Sequence, residues 1–256
     1  MIKMKDHIID IIKKFDPISL KQLEIGKSLM KRIEAKYKFH IDQLPSILNA
    51  LSPYYFALEI NHTRLHKYET LYFDTDDFNL YLQHHKQSRN RYKIRYRHYV
   101  DADLNFFEIK RKNNKNITTK ERIKLPSINY EITDDAGNFL KLKTKLNPEK
   151  LVPKLWVHFF RMQLVNKNSD ERLTIDIYPS FIINDTSVSF SPLVIAEIKQ
   201  KKIFRSPFVE IMKINHIREG SLSKYCFGIS MIYENIKKNR FKENLLSIKK
   251  ICHDQN

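Results

Sequence analysis

Hydrophobic and polar positions follow two periods along this chain, and the switches between them mark out its elements. From Asp6 to Phe15 the apolar residues Ile8, Ile11, Ile12 and Phe15 recur at helical spacing. Pro17 closes that helix, and a second short one is predicted from Leu20 to Lys27. From Met30 the period becomes two, in MKRIEAKYKF. Asp42 to Leu51 returns to helical spacing, with Asp42 as its cap and Leu44, Ile47, Leu48 and Leu51 on one side. Further strand-like runs lie at Tyr68–Phe73, Arg91–Val100, Leu104–Lys112, Thr118–Leu125, Leu155–Val165, Arg172–Tyr178 and Val194–Gln200. Helices are predicted at Asp77–His84 behind Thr75 and Asp76, at Ala136–Leu146 despite Gly137, and at Pro207–Ile217. A last helix carries Ile229, Ile232, Ile236, Leu245 and Ile248. With no linker or repeat between them, these elements predict one α+β domain on an antiparallel sheet, with helices at both ends.

Residues two apart in a strand share a face, and the charged residues sort accordingly. Arg32, Glu34, Lys36 and Lys38 oppose Ile33, Ala35, Tyr37 and Phe39; Lys93, Arg95 and Arg97 oppose Ile94 and Tyr96. Glu108, Lys110 and Lys112 share a face, as do Lys120, Arg122 and Lys124. Val157, Phe159 and Arg161 align, then Arg172, Thr174 and Asp176, then Ile195, Glu197 and Lys199. Any one such strand reads as an ordinary solvated face. The repetition with a single sign points further, because a face of like charges is unfavourable without an anion to neutralise it. Carboxylates come singly, at Glu34, Glu108, Asp176 and Glu197. Isolated acids among cations suggest a divalent metal shared with phosphate oxygens.

Composition agrees with a polyanionic ligand. The 256 residues include 46 Lys and Arg against 29 Asp and Glu, a formal net charge of +17. AT-rich coding sequence also inflates Lys, Asn and Ile, so charge alone selects no ligand. Cys226 and Cys252 have neither metal-ligand spacing nor a partner framework, which suits a reducing compartment. The N-terminus lacks a signal-like apolar stretch, and no run approaches the ~20 apolar residues of a membrane helix. A cytoplasmic protein is expected, and its charge is compatible with the inner face of a membrane. The histidines form no dyad: His98 and His158 fall on the outer faces, and His84 and His85 sit at a helix end as a solvated or dipole-satisfying pair. Asp74 and Asp76 read as caps of the following helix before they read as metal ligands.

The pieces RIEAKY (32–37), LYFDT (71–75), KIRYR (93–97), EIKRK (108–112), TTKERIKL (118–125), RLTID (172–176), AEIK (196–199) and SLSKYCFG (221–228) occur in one order. This ordered set resembles the catalytic domain of the vacuolar transporter chaperone (VTC) polyphosphate polymerases, of the triphosphate tunnel metalloenzyme fold. The resemblance covers 30–228, leaving helical segments at 1–29 and 229–256. It implies an antiparallel β-barrel around a basic tunnel, in which the γ-phosphate of ATP is added to inorganic polyphosphate or pyrophosphate with Mn²⁺ or Mg²⁺. Carried over by motif, Arg95, Arg97, Lys110 and Arg161 would grip the reacting phosphates. Lys36, Lys93, Lys120, Arg172, Lys199, Ser223 and Lys224 would line the phosphate path, and Glu197 would hold the metal. Phe159 stands where the family often has tyrosine, and Ser221 where it often has lysine. A membrane-protein partner for the product would not be visible in this chain.

Two rival readings follow from the same residues. A triphosphate hydrolase of this fold would present a Glu-x-Glu-x-Lys first strand, and here the first position is Arg32. A non-catalytic binder of polyphosphate or nucleic acid could stack bases on Tyr92, Tyr96 and Tyr99. Alternation sets Tyr96 opposite Arg95 and Arg97, which disfavours nucleic acid.

Overall fold

The computed structural model describes residues 2–25, 33–115, 117–201 and 205–253. Met30 and Arg32, and the end of the helix expected at Leu20–Lys27, lie outside them. Helix α1 (Ile2–Ile12) buries Ile8, Ile11 and Ile12 on one side. Strand β1 (Asp16–Ser19) follows and leads into α2 (Leu20–Ile25). Pro17 therefore lies inside a strand, tolerated because β1 is an edge strand that, among the described residues, pairs with β3 (Tyr55–Glu59) alone. Between them run β2 (Ile33–His40) and α3 (Leu44–Leu51). Asp42 does not cap α3. A 3-10 turn at Ile41–Gln43 intervenes, capped by His40, whose Nδ1 accepts from the Asp42 amide at 3.2 Å, and Pro45 opens α3.

The middle of the chain is β4 (His66–Asp74), α4 (Asn79–His85), β5 (Arg91–Tyr99), β6 (Leu104–Lys112), β7 (Thr118–Leu125) and α5 (Asp134–Lys143). Phe78 adopts a left-handed φ of 59°, folding the chain back before α4. The Asp74 carboxylate thereby reaches the amides of Leu80 and Tyr81 at 2.7 and 2.8 Å, and Thr75 Oγ1 that of Asn79 at 2.9 Å. Asp74 and Thr75 are the caps, while Asp76 pairs with Lys154 at 3.0 Å. The rest is β8 (Val152–Asn166), β9 (Arg172–Ile183), β10 (Thr186–Ser189), β11 (Leu193–Gln200), α6 (Pro207–Ile214), β12 (Glu219–Gly220), α7 (Lys224–Ile232) and α8 (Lys242–His253). The single C-terminal helix of the sequence reading is thus two helices.

All strands belong to one sheet, ordered β12-β2-β11-β9-β8-β4-β5-β6-β7, with β1, β3 and β10 attached beside it. Apart from the parallel β1–β3 pair, the pairings among the described residues are antiparallel. The α+β, antiparallel expectation holds, but the sheet is curled and not closed. Its ends, β7 and the two-residue β12 on the outer edge of β2, are not hydrogen-bonded to each other among the described residues.

The two faces differ as the alternation requires. On the convex side, Tyr37, Phe39, Leu173, Ile175, Val194 and Ala196 pack with α1, α3 and α6. Further round, Leu71, Phe73, Ile94, Tyr96 and Phe107 pack beneath α5. The concave side is partly filled: Leu155, Val157, Phe159, Phe181 and Ile195 pack against Tyr225, Phe227 and Ile229 of α7. Gly228 allows this approach, since a Cβ there would lie 2.4 Å from Phe181 Cδ1 and 2.6 Å from Leu155 Cδ2. The uncovered remainder of the concave face is charged.

Candidate active site

Strand registry decides which charges meet. Lys93 of β5 lies directly opposite Lys110 of β6, and Lys110 lies directly opposite Lys120 of β7. This three-strand row of lysines borders a cavity of about 1120 Å³. Lys36 and Glu34 of β2 line its other wall, and Ser223 and Cys226 of α7 contribute to its rim. Lys93 and Lys110 have no carboxylate within ion-pair distance among the described residues. Burial, with Lys93 and Lys36 nearby, pushes Lys110 down to about 7 despite the pull of Glu34 and Glu197. Burial also pushes Lys120 down to about 7, helped by Arg95 and Arg97 and opposed by Glu108.

Beside this cavity lies a buried arginine cluster organised by two carboxylates. Glu108, fully buried, accepts from Arg95 Nε at 2.8 Å and Nη2 at 2.6 Å, and it also pairs with Lys120. Arg97 Nη1 is 3.9 Å away, and Tyr99 donates to the other carboxylate oxygen at 3.4 Å. Burial alone would raise the Glu108 carboxyl, but Arg95, Arg97 and Lys120 hold it well below the usual carboxylate range. Asp176 accepts two parallel bonds from Arg161, at 2.5 and 2.7 Å, and a third from Lys224. Against the effect of burial, Arg161 and Lys224 bring that carboxyl down to about 2. Glu108 and Asp176 thus act as counter-ions for the arginines, which corrects the reading of isolated acids as metal sites.

The geometry places Arg97 and Arg161 over one aromatic pair. Tyr68 and Phe159 stack at 5.3 Å, and both guanidinium groups lie 5.1–6.0 Å from their ring centroids. Lys224 Nζ is 4.6 Å from the Phe159 ring. These distances suit cation–π contact, so Phe159 supports the cluster through its ring without a hydroxyl. A bulge in the β8–β9 pairing lets the row shift: His158 pairs with Ser180, Phe160 with Ile177, and Tyr178 takes a φ of 52°. Tyr72 supplies the polar contact that the sequence reading missed, accepting from Arg95 Nη1 at 2.8 Å. Thr70 does the same for Arg97 Nε at 3.2 Å. The signal was present, since Tyr68, Thr70 and Tyr72 alternate with Glu69, Leu71 and Phe73 in β4.

The remaining expected residues are spread round the curl. Glu197 bonds Lys36 across the β2–β11 pair and Lys199 at 2.6 Å on its own strand. Burial would raise its carboxyl, but Lys199 and Lys36 hold it well below the usual range. Arg172 sits at the far end of β9, where Nη2 donates to the Leu23 carbonyl at 3.0 Å, and it does not border the cavity. Ser223 caps α7, its Oγ accepting from the Cys226 amide at 3.3 Å. His84 and His85 are not a solvated pair: His84 bonds the Tyr92 carbonyl at 3.1 Å and His85 bonds Asn239 at 2.7 Å. Burial and Lys93 push His84 down to about 2, so it stays neutral. Tyr96 faces outward with Ile94 in the convex core while Tyr99 faces Glu108, so Tyr92, Tyr96 and Tyr99 form no single stacking platform.

A divalent metal is tested here by the donor set. Glu34 and Glu197 stand on neighbouring strands and both act electrostatically on Lys110. No group of three His, Cys, Asp or Glu side chains that could hold an ion occurs among the described residues. Such a site fits Mg²⁺ or Mn²⁺ only where phosphate oxygens supply most of the coordination, which is how hard ions bind beside nucleotides.

The family model for the VTC domain matches residues 31–233. The chain belongs to the VTC domain family. No curated protein matches it by sequence. Among solved structures, a candidate adenylyl cyclase from Hippeastrum with a dominant triphosphatase activity aligns at 16% identity, covering 80% of this chain and 98% of that one, with a TM-score of 0.49. A candidate adenylate cyclase from Bacillus halodurans aligns at 14% identity over 80% of this chain and 100% of that one, with a TM-score of 0.46. One from Vibrio parahaemolyticus aligns at 12% identity over 76% and 97%, also with a TM-score of 0.46. Among the described residues of this VTC domain, no helix is long and apolar enough to cross a membrane.

The lysine row yields a pH prediction. With Lys110 and Lys120 near 7 in the free protein, both are mostly neutral at pH 8. An anion bound between them favours the charged forms, raises both pKa values and draws protons from solvent. Tripolyphosphate binding at pH 8 is therefore expected to take up about one to two protons, and its affinity to fall as pH rises through 7. Calorimetry in buffers of different ionisation enthalpy measures this directly. Lys110→Met should remove about one of those protons, and zero uptake in the unaltered protein would mean that both lysines are already charged.

Proposed function

We propose that this VTC domain transfers the γ-phosphoryl group of ATP to the end of an inorganic polyphosphate or pyrophosphate chain. The observation that carries this reading is the Lys93–Lys110–Lys120 row beside the arginine cluster. Like charges directly opposite on adjacent strands are unfavourable alone. Three strands span about 10 Å across their spacing, a length suited to a run of phosphates and not to one. Arg95, Arg97 and Arg161 hold the donor triphosphate; Lys36, Lys93, Lys110 and Lys120 hold the acceptor; Lys199, Ser223 and Lys224 extend the contacts, and Arg172, turned to the Leu23 carbonyl away from the cavity, is left out of them.

A terminal oxygen of the acceptor, already anionic, forms the new bond to the γ-phosphorus. The bond from that phosphorus to the β–γ bridging oxygen breaks, and ADP leaves with the electron pair. No proton moves, so the absence of a His or Cys dyad from the proposal costs nothing. Positioning and charge neutralisation supply the catalysis. Glu197, with Glu34 beside it, would hold Mn²⁺ or Mg²⁺, which when bound neutralises phosphate oxygens. Arg32 in place of a first-strand glutamate supports synthesis over hydrolysis. Purified protein incubated with ATP and Mn²⁺ should yield chains resolved on a gel. Phosphate released without chains would replace this reading with a triphosphate hydrolase.

A further inference from the structure

The inner face of β2 does not end at the cavity that holds the lysine row. Alternation places Glu34, Lys36, Lys38 and His40 in one line along it. The first two border that cavity; the last two border a second, of about 860 Å³, between β2, β12 and α8. The two cavities share Glu219, Gly220, Ser221 and Asn244 as a common wall. That wall is a chain of hydrogen bonds. Lys38 Nζ donates to Asn244 Oδ1 at 2.7 Å, and Asn244 Nδ2 reaches Ser221 Oγ at 3.4 Å. Gly220 leaves room for the lysine stem, as a Cβ there would be 3.4 Å from Lys38 Cε.

Three features make this wall a partition within one path. Lys38 continues the row of inward cations but is turned onto a neutral amide, and burial lowers its pKa. A phosphate oxygen offers an ammonium group a stronger, charge-assisted partner than an amide oxygen does. Asn244 belongs to α8, beyond the residues that match the family model, so the family match does not account for this contact. Beyond the partition, Arg218, Glu243 and Lys250 line the second cavity. The strand rise separates Lys36 from Lys38 by about 7 Å, within reach of one extended chain.

We infer that the second cavity is a binding section for inorganic polyphosphate beyond the reacting end, entered when the chain takes Lys38 from Asn244. This deepens the function proposed above and rests on it, but it is tested by binding and not by synthesis. The probes are tripolyphosphate, short enough for the first cavity alone, and long-chain polyphosphate. Lys38→Ala is expected to weaken long-chain binding about tenfold while tripolyphosphate affinity changes less than about twofold. Asn244→Ala, which frees Lys38, should tighten the long chain and leave tripolyphosphate unchanged. Arg218→Ala, on an exposed residue that no fold contact requires, should weaken only the long chain, by about threefold. It carries the test if Lys38→Ala fails to fold. Equal losses for both probes, or no loss for either, overturn the second section while leaving the polymerase reading intact. If the unaltered protein binds neither probe, the function reading fails and takes this one with it.

Discussion

Glu108→Gln is expected to be the most destabilising conservative change in the site, by about 3–5 kcal/mol. The carboxylate is fully buried and is shared by Arg95, Lys120 and, at longer range, Arg97. Glutamine has nearly the same shape, so packing is preserved and the loss is electrostatic. Arg95, Arg97 and the charged form of Lys120 would be left without their counter-charge in a region withdrawn from water. The same reasoning fixes how the defect is relieved. Tripolyphosphate supplies negative charge to the same cations, so the variant should gain more stability from it than the unaltered protein does. Urea denaturation with and without tripolyphosphate measures both differences. A defect of equal size in the presence and absence of the anion would show that the loss is not one of counter-charge, and the counter-ion reading would fall.

This role for Glu108 also shows how far the sequence could be read. Period-two alternation gave the inward face of β5, β6, β7, β9 and β11, because a strand's side chains must alternate wherever it pairs. The cations Arg95, Arg97, Lys110 and Lys120 were legible for that reason. What alternation cannot give is the partner across the ladder. That Glu108 meets Arg95 and Arg122, or Glu197 meets Lys36, depends on the register between strands distant in sequence. Single carboxylates among cations therefore looked like metal ligands when several are counter-ions. The short elements were hidden for other reasons. β12 has two residues, too few for a period, and β1 contains Pro17, which reads as a helix stop. The partial filling of the concave face by α7 was equally invisible, since Tyr225, Phe227 and Ile229 suit any apolar environment. Curling without closure follows from edge pairing, which no local pattern encodes.

Arg95→Lys should test the arginine cluster with less disturbance to the fold, because it keeps the charge and removes the fork. Arg95 commits three of its five N–H groups, two to Glu108 and one to Tyr72, leaving two for a phosphate oxygen pair. Lysine can keep an ion pair with Glu108 but cannot hold Glu108, Tyr72 and a bidentate phosphate together. The loss of one charge-assisted contact corresponds to about 1.5–3 kcal/mol, or roughly ten- to hundredfold in nucleotide turnover. Because the missing contact is to the donor phosphates, the fall should appear at saturating acceptor. The comparison is Arg111→Ala on the next strand, whose side chain lies on the other face, 5.7 Å from the Tyr92 ring and hydrogen-bonded to Asn90. That variant should change turnover by less than about twofold, in line with an exposed surface contact. If Arg95→Lys turns over ATP as fast as Arg111→Ala, the reacting phosphates are not held by the Glu108-anchored cluster. The lysine row would then have to bind both donor and acceptor, and the proton uptake expected of Lys110 and Lys120 would be measured for the nucleotide as well as for the chain.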